Sequence, residues 1–186
     1  KESDAIVMMK HSLLKDRSLY NQEWVGGRYY WGKSEDYGVS NQNYKPVDFD
    51  KYSDRIILSG TNWIGVPDVQ WFDYTGADKV FDLSALFQYP HPECHEFDIK
   101  PSQDFYYNEH RKPAIDILHS SPFMVAKLYK GRRVSTEDYF KYVSLCKVLV
   151  APFGYGEMAP RDLESAQLGS VLIKPDMSHV DTYPNI

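Results

Sequence analysis

The residues best suited to chemistry lie between Val148 and Glu164. There the apolar run Val148-Leu149-Val150-Ala151-Pro152 leads into Phe153-Gly154-Tyr155-Gly156-Glu157-Met158-Ala159, and then into Pro160-Arg161-Asp162-Leu163-Glu164. Gly154 and Gly156 permit left-handed backbone and close approach of a ligand to the main chain. Pro160 suits the first position of a helix, where the N–H it lacks would have had no partner. Ala159 before it supplies no side-chain cap. The N–H groups of that first turn are therefore expected to be open to an anion such as phosphate, which the helix dipole favours. Arg161 and Glu164 stand three residues apart and so share one helical face near that end. An arginine grips a phosphate by its fork, and a carboxylate accepts from both hydroxyls of a ribose. The pair reads equally as a surface ion pair at a helix start, which contributes little. The glycines and the uncapped start favour a ligand.

These residues need a strand before the loop and a helix after it, and the chain supplies that grammar from residue 106 onward. A helix is expected over Tyr106–Leu118, with Ala114, Ile115 and Leu118 in helical spacing and Pro113 in a first turn or at a kink. Phe123–Leu128 reads as a strand. Ser135-Thr136-Glu137-Asp138 resembles an N-terminal capping box, and Tyr139, Val143 and Cys146 mark the buried stripe of the helix that follows. Lys147–Pro152 is a strand, Pro160–Leu168 a helix and Ser170–Lys174 a strand. Strands and helices alternating with short links mean parallel βαβ units with right-handed crossovers. Upstream, residues 5–10 read as a short buried strand and residues 20–53 as mostly irregular with a hairpin. Arg55–Gly60 reads as a buried parallel strand, and Asp78–Phe87 as a helix. The expected fold is α/β, a doubly wound Rossmann-like parallel sheet. The expected division is a partial N-terminal region over 1–53 and a Rossmann-like domain over 54–186. The chain opens one step before an apolar segment and stops at Tyr183-Pro184-Asn185-Ile186, so a truncated fragment is expected.

Taken together, Tyr142–Pro152, Gly154-Tyr155-Gly156-Glu157, Arg161-Asp162-Leu163-Glu164-Ser165-Ala166 and Gly169-Ser170-Val171-Leu172-Ile173 resemble the C-terminal nucleotide-binding domain of GT-B glycosyltransferases. The likeness is to family 1-like, CgeB-like and exostosin-like members, with their strand, glycine loop, R-x-x-E-A/S, glycine and strand. It covers about 50 residues, with a looser strand–helix correspondence back to about residue 97. The resemblance implies transfer of a sugar from a nucleotide-diphosphate sugar to a carbohydrate or other acceptor, with residues 1–53 as a remnant of the acceptor-side domain. It implies that Glu164 holds the donor ribose. The loop residues Gly154, Tyr155, Gly156 and Glu157, with Arg161 and other basic residues, hold the diphosphate. No metal or other cofactor is implied, because cationic groups and the helix dipole do the electrostatic work. The retaining members carry two glutamates separated by seven residues, whereas six separate Glu157 from Glu164, and Gly156 stands where their first glutamate falls. A retaining mechanism is therefore not assigned, and no catalytic base is identified.

Arg132 and Arg133 follow Lys130-Gly131 after the strand expected at 123–128, at the carboxyl edge where α/β sheets bind ligands; they reach a diphosphate or form a solvated turn. His110-Arg111-Lys112 is a second cationic candidate. His179, just past the last strand, is a donor contact or a surface-loop histidine. His91-Pro92-Glu93-Cys94-His95-Glu96 lacks the four well-placed ligands that zinc prefers and reads as a polar loop. Tyr29, Tyr30, Trp31, Trp63 and Trp71 stack on sugars or fill the core.

A net charge of −5 without a long basic run argues against general nucleic-acid binding, and no apolar run approaches the roughly 18 residues of a membrane span. With two cysteines a disulfide framework is not expected. The expected location is cytoplasmic, with attachment to a membrane periphery as the alternative. Two rival functions stand beside the transferase: a non-catalytic module that holds a nucleotide or sugar, and an unrelated flavodoxin-like interaction domain. The last predicts Glu164 paired within the protein.

Overall fold

The computed structural model describes residues 7–24, 46, 48–60, 76–87, 111–123, 125–126, 134–153, 156–183 and 185. In chain order the elements are β1 (Met8–Lys10), β2 (Ser12–Leu14), β3 (Ile56–Leu58), β4 (Phe81–Ser84), α1 (Lys112–Ser120), β5 (Val125–Ala126), α2 (Thr136–Ser144), β6 (Cys146–Val150), α3 (Pro160–Gln167), β7 (Val171–Ile173) and β8 (Val180–Thr182). The chain forms two units. The first comprises Lys1–Asn62, Tyr155–Glu157 and Asp176–Ile186; the second comprises Trp63–Gly154 and Met158–Pro175.

The second unit is built on a parallel four-stranded sheet in the order β5-β4-β6-β7. Leu83 faces Val125 on one side of β4 and Val148 on the other, and Val150 of β6 pairs with Ile173 of β7. Successive residues of a strand point to opposite faces, and both faces are used. Leu149 packs with Leu86, Phe140, Val143 and Leu168. Its neighbour Val150 lies with Leu83, Ala85, Phe87, Ile115 and Leu118. Helix α1 thus covers one face, while α2 and α3 cover the other. Each such Leu, Ile or Phe stabilises the fold by about 1.5–3 kcal/mol relative to exposure.

The helix expected over Asp78–Phe87 is instead the strand β4 and its continuation, a correction with a clear cause. Phe81, Leu83, Ala85 and Phe87 alternate with a period of two, but Leu86 adds a helix-like spacing. Ala85 and Phe87 serve one core and Leu86 the other, so the apolar residues need both sides of a sheet. The Cys146 end of the expected helical stripe is also corrected. Helix α2 stops at Ser144, and the fully buried Cys146 opens β6. Phe140 and Val143 fill the core, with Tyr139 packed beside them. Ser135 caps α2 as expected, accepting from the Asp138 N–H, and Pro113 lies in the first turn of α1.

In the first unit, β1 pairs in parallel with β3 and β2 pairs antiparallel with β8. The expected strand near residues 5–10 exists, but it is not buried: Met8 and Met9 are 49% and 67% exposed. Leu13, Leu14, Phe49 and Val180 are buried. Phe49 stacks on Tyr20 with ring centroids 4.8 Å apart, and Lys10 and Arg17 lie over the Tyr20 and Phe49 rings. The hairpin expected within 20–53 falls largely outside the described residues; those described include 3-10 turns at Arg17–Asn21 and Asp50–Arg55. The sequence division at 53/54 assigns residues 176–186 to the second part, whereas β8 makes its strand hydrogen bonds with β2.

Candidate functional site

Strand β6 delivers the chain to its carboxyl edge at Val150, where the Ala151 N–H donates to the Ile173 carbonyl at 2.8 Å. Phe153 and Met158 are buried on either side of the glycine loop. Helix α3 then starts after Ala159, whose backbone is extended. Alanine cannot cap, but the residue at the third helical position reaches back. The Asp162 carboxylate accepts from the Ala159 N–H at 2.9 Å, and the Asp162 N–H donates to the Ala159 carbonyl at 2.9 Å. The Ala159 N–H is thus taken by a carboxylate of the chain itself, standing where the dipole favours it, and of the first-turn N–H groups that of Asp162 is turned to the Ala159 carbonyl. Lys174, one residue past β7, lies 2.5 Å from Asp162 in an ion pair whose side chains are 7% and 0% exposed. The Lys174 amine also lies 5.9 Å from the centre of the Phe153 ring. A carboxylate buried this deeply needs such a countercharge.

Arg161 and Glu164 emerge on one face of α3, as their spacing predicts. Glu164 is only 8% exposed. The hydroxyl of Tyr139, on α2, donates to Glu164 Oε2 at 2.7 Å. The Arg161 charge acts on the same phenol. Burial, and then the Glu164 charge and hydrogen bond, hold the Tyr139 phenol above its ordinary range, against the opposing effect of Arg161. The result is an acid, a hydroxyl and a guanidinium in one cluster beside the carboxyl edge of the sheet. Such a cluster can present an oriented carboxylate and a cation to a polyhydroxylated anion.

Two features were missed from sequence: Tyr139, read there as core stripe, and the Asp162–Lys174 pair. The available signal for Asp162 was its place two residues after a helix-starting proline, where acids bind back to the cap N–H. Lys174 carried no comparable local signal.

The other expected site residues fall elsewhere. Gly156 and Glu157 belong to the first unit, where the Ser12 hydroxyl donates to Glu157 Oε2 at 3.4 Å. His179 is in the same unit, half-buried, and its carbonyl accepts from the Lys15 N–H at 2.9 Å. Gly154, Tyr155, Arg132 and Arg133 lie outside the described residues, as do the segment His91–Glu96 and the aromatics Tyr29, Tyr30, Trp31, Trp63 and Trp71. Of the cationic candidate His110-Arg111-Lys112, His110 lies outside the described residues, and Arg111 and Lys112 are engaged internally. Arg111 is buried with its guanidinium 5.9 Å from the Phe87 ring centre, and Lys112 pairs with Asp116. Among the described residues, no cluster of three or more His, Cys, Asp or Glu side chains could hold a metal ion. No described helix is long and apolar enough to cross a membrane. Compared with protein-family models, curated proteins and solved structures, the chain finds no match.

Proposed function

We propose that this chain carries the donor-nucleotide side of a GT-B glycosyltransferase, binding a nucleotide-diphosphate sugar for transfer of its sugar to a carbohydrate or other acceptor. The observation that carries this reading is the position of Arg161 and Glu164. They lie on the first turns of the helix that follows β6, in a parallel sheet whose strand order reverses between β4 and β6. In a doubly wound, Rossmann-like sheet, ligands bind outside the carboxyl ends of the strands at such a reversal. Helices on both faces of the sheet support the same architecture.

In this reading Glu164 accepts from ribose hydroxyls. Arg161 stabilises the charge that develops on the leaving diphosphate, together with Arg132 or Arg133. Asp162 and Lys174 pair with one another at the helix start, and Arg161 supplies a cation of this turn to the diphosphate. The catalytic base is not assigned.

A second reading is favoured by one observation, the Tyr139–Glu164 hydrogen bond, since a carboxylate paired within the protein is what an interaction domain of flavodoxin-like form predicts. The two separate by ligand-dependent unfolding of Glu164→Gln and Tyr139→Phe. Glutamine keeps an acceptor for Tyr139 but loses the charge, so the donor-site reading expects a folded protein with a weakened response to UDP or GDP. The interaction-domain reading expects no response to either nucleotide in any variant.

A further inference from the structure

An acid at the third position of a helix usually caps from a solvated surface; Asp162 does so with its side chain fully buried. Its countercharge comes from 12 residues further along, beyond α3 and β7. Lys174 directly follows Ile173, the residue paired with Val150 at the carboxyl end of β6. The ion pair therefore ties the end of β7 to the first turn of α3 and, through the Asp162 carboxylate, to the N–H of the extended residue Ala159. Arg161 precedes Asp162, and Glu164 lies two residues beyond it. Asp162 Oδ1 is buried without a hydrogen-bond partner among the described residues, so the carboxylate is held through its other oxygen alone. Lys174 and the Ala159 N–H share that oxygen.

We propose that Lys174 and Asp162 are positioning residues for the donor site: through the Ala159 N–H they fix the start of α3 and hence the facing of Arg161 and Glu164. This rests on the donor-site reading above. The test is the affinity for UDP and GDP by titration calorimetry, at a temperature where each variant is folded, for the unmodified chain, Lys174→Met, Lys174→Arg and Asp162→Glu. Lys174→Met is expected to bind roughly tenfold or more weakly, because small displacements of binding groups carry large losses; Lys174→Arg, which keeps the charge, recovers part of the affinity. Asp162→Glu keeps the ion pair but lengthens the arm on the Ala159 N–H, and is expected to fold and bind several-fold more weakly. It decides the matter if Lys174→Met does not fold. Binding by the unmodified chain with unchanged affinity in Lys174→Met or Asp162→Glu overturns the positioning role and leaves the donor site standing. Absence of binding by the unmodified chain overturns both.

Discussion

Tyr139 joins two helices at a single hydroxyl, and its removal separates structural from ligand effects. Tyr139→Phe removes a hydrogen-bond donor from the buried Glu164 carboxylate, which is expected to lower stability by about 1–3 kcal/mol in urea unfolding. An unchanged midpoint would show that water replaces the phenol. The buried Cys146 makes a second residue-scale prediction. Burial pushes its thiol up to about 11 from an ordinary 9.0. A raised pKa gives stability that is complete below the unfolded value and is lost as pH rises toward the folded one. Unfolding free energy should therefore fall between about pH 9 and 11, by on the order of 2 kcal/mol, and Cys146→Ala should flatten that fall measurably. At this scale the sequence revealed what is local. Arg161 and Glu164 were legible because three residues on a helix define a face. Tyr139 was not, because its carboxylate partner lies 25 residues away, and helical spacing alone assigns a tyrosine in an apolar stripe to the core.

The elements are closed at their ends by identifiable groups. Ser135→Ala removes the acceptor for the Asp138 N–H at the start of α2, and about 1 kcal/mol should be lost in the unfolding midpoint. The end of α3 depends on Gly169, whose φ of 67° lies in the left-handed region, and on Lys79, whose amine donates to the Leu168 carbonyl at 2.7 Å. Gly169→Ala should cost about 1 kcal/mol through backbone strain alone, because the nearest atom to an added Cβ is the Lys79 amine at an ordinary 3.9 Å. An unchanged stability would mean that the turn relaxes. Elements from α1 to β7 were legible because capping residues, a helix-starting proline and apolar runs agree with one another. β4 was not, because its apolar residues serve cores on both faces and so mimic helical spacing.

At the scale of the whole molecule, strand order was beyond sequence. Alternating strands and helices imply parallel pairing, but which side of β4 each later strand joins depends on the direction of each crossover. The structure gives β5 on one side and β6 and β7 on the other, the reversal on which the donor-site reading rests. The pairing of β8 with β2 was equally hidden, since residues 12–14 and 180–182 share no local signal. The most direct test of the central claim is thermal unfolding of this chain with UDP and with GDP, repeated on Glu164→Gln. One nucleotide, at 100 times its dissociation constant, is expected to stabilise the unmodified chain by about 2.7 kcal/mol, and the same concentration to stabilise Glu164→Gln clearly less. No shift with either nucleotide, or an equal shift in the variant, would contradict it.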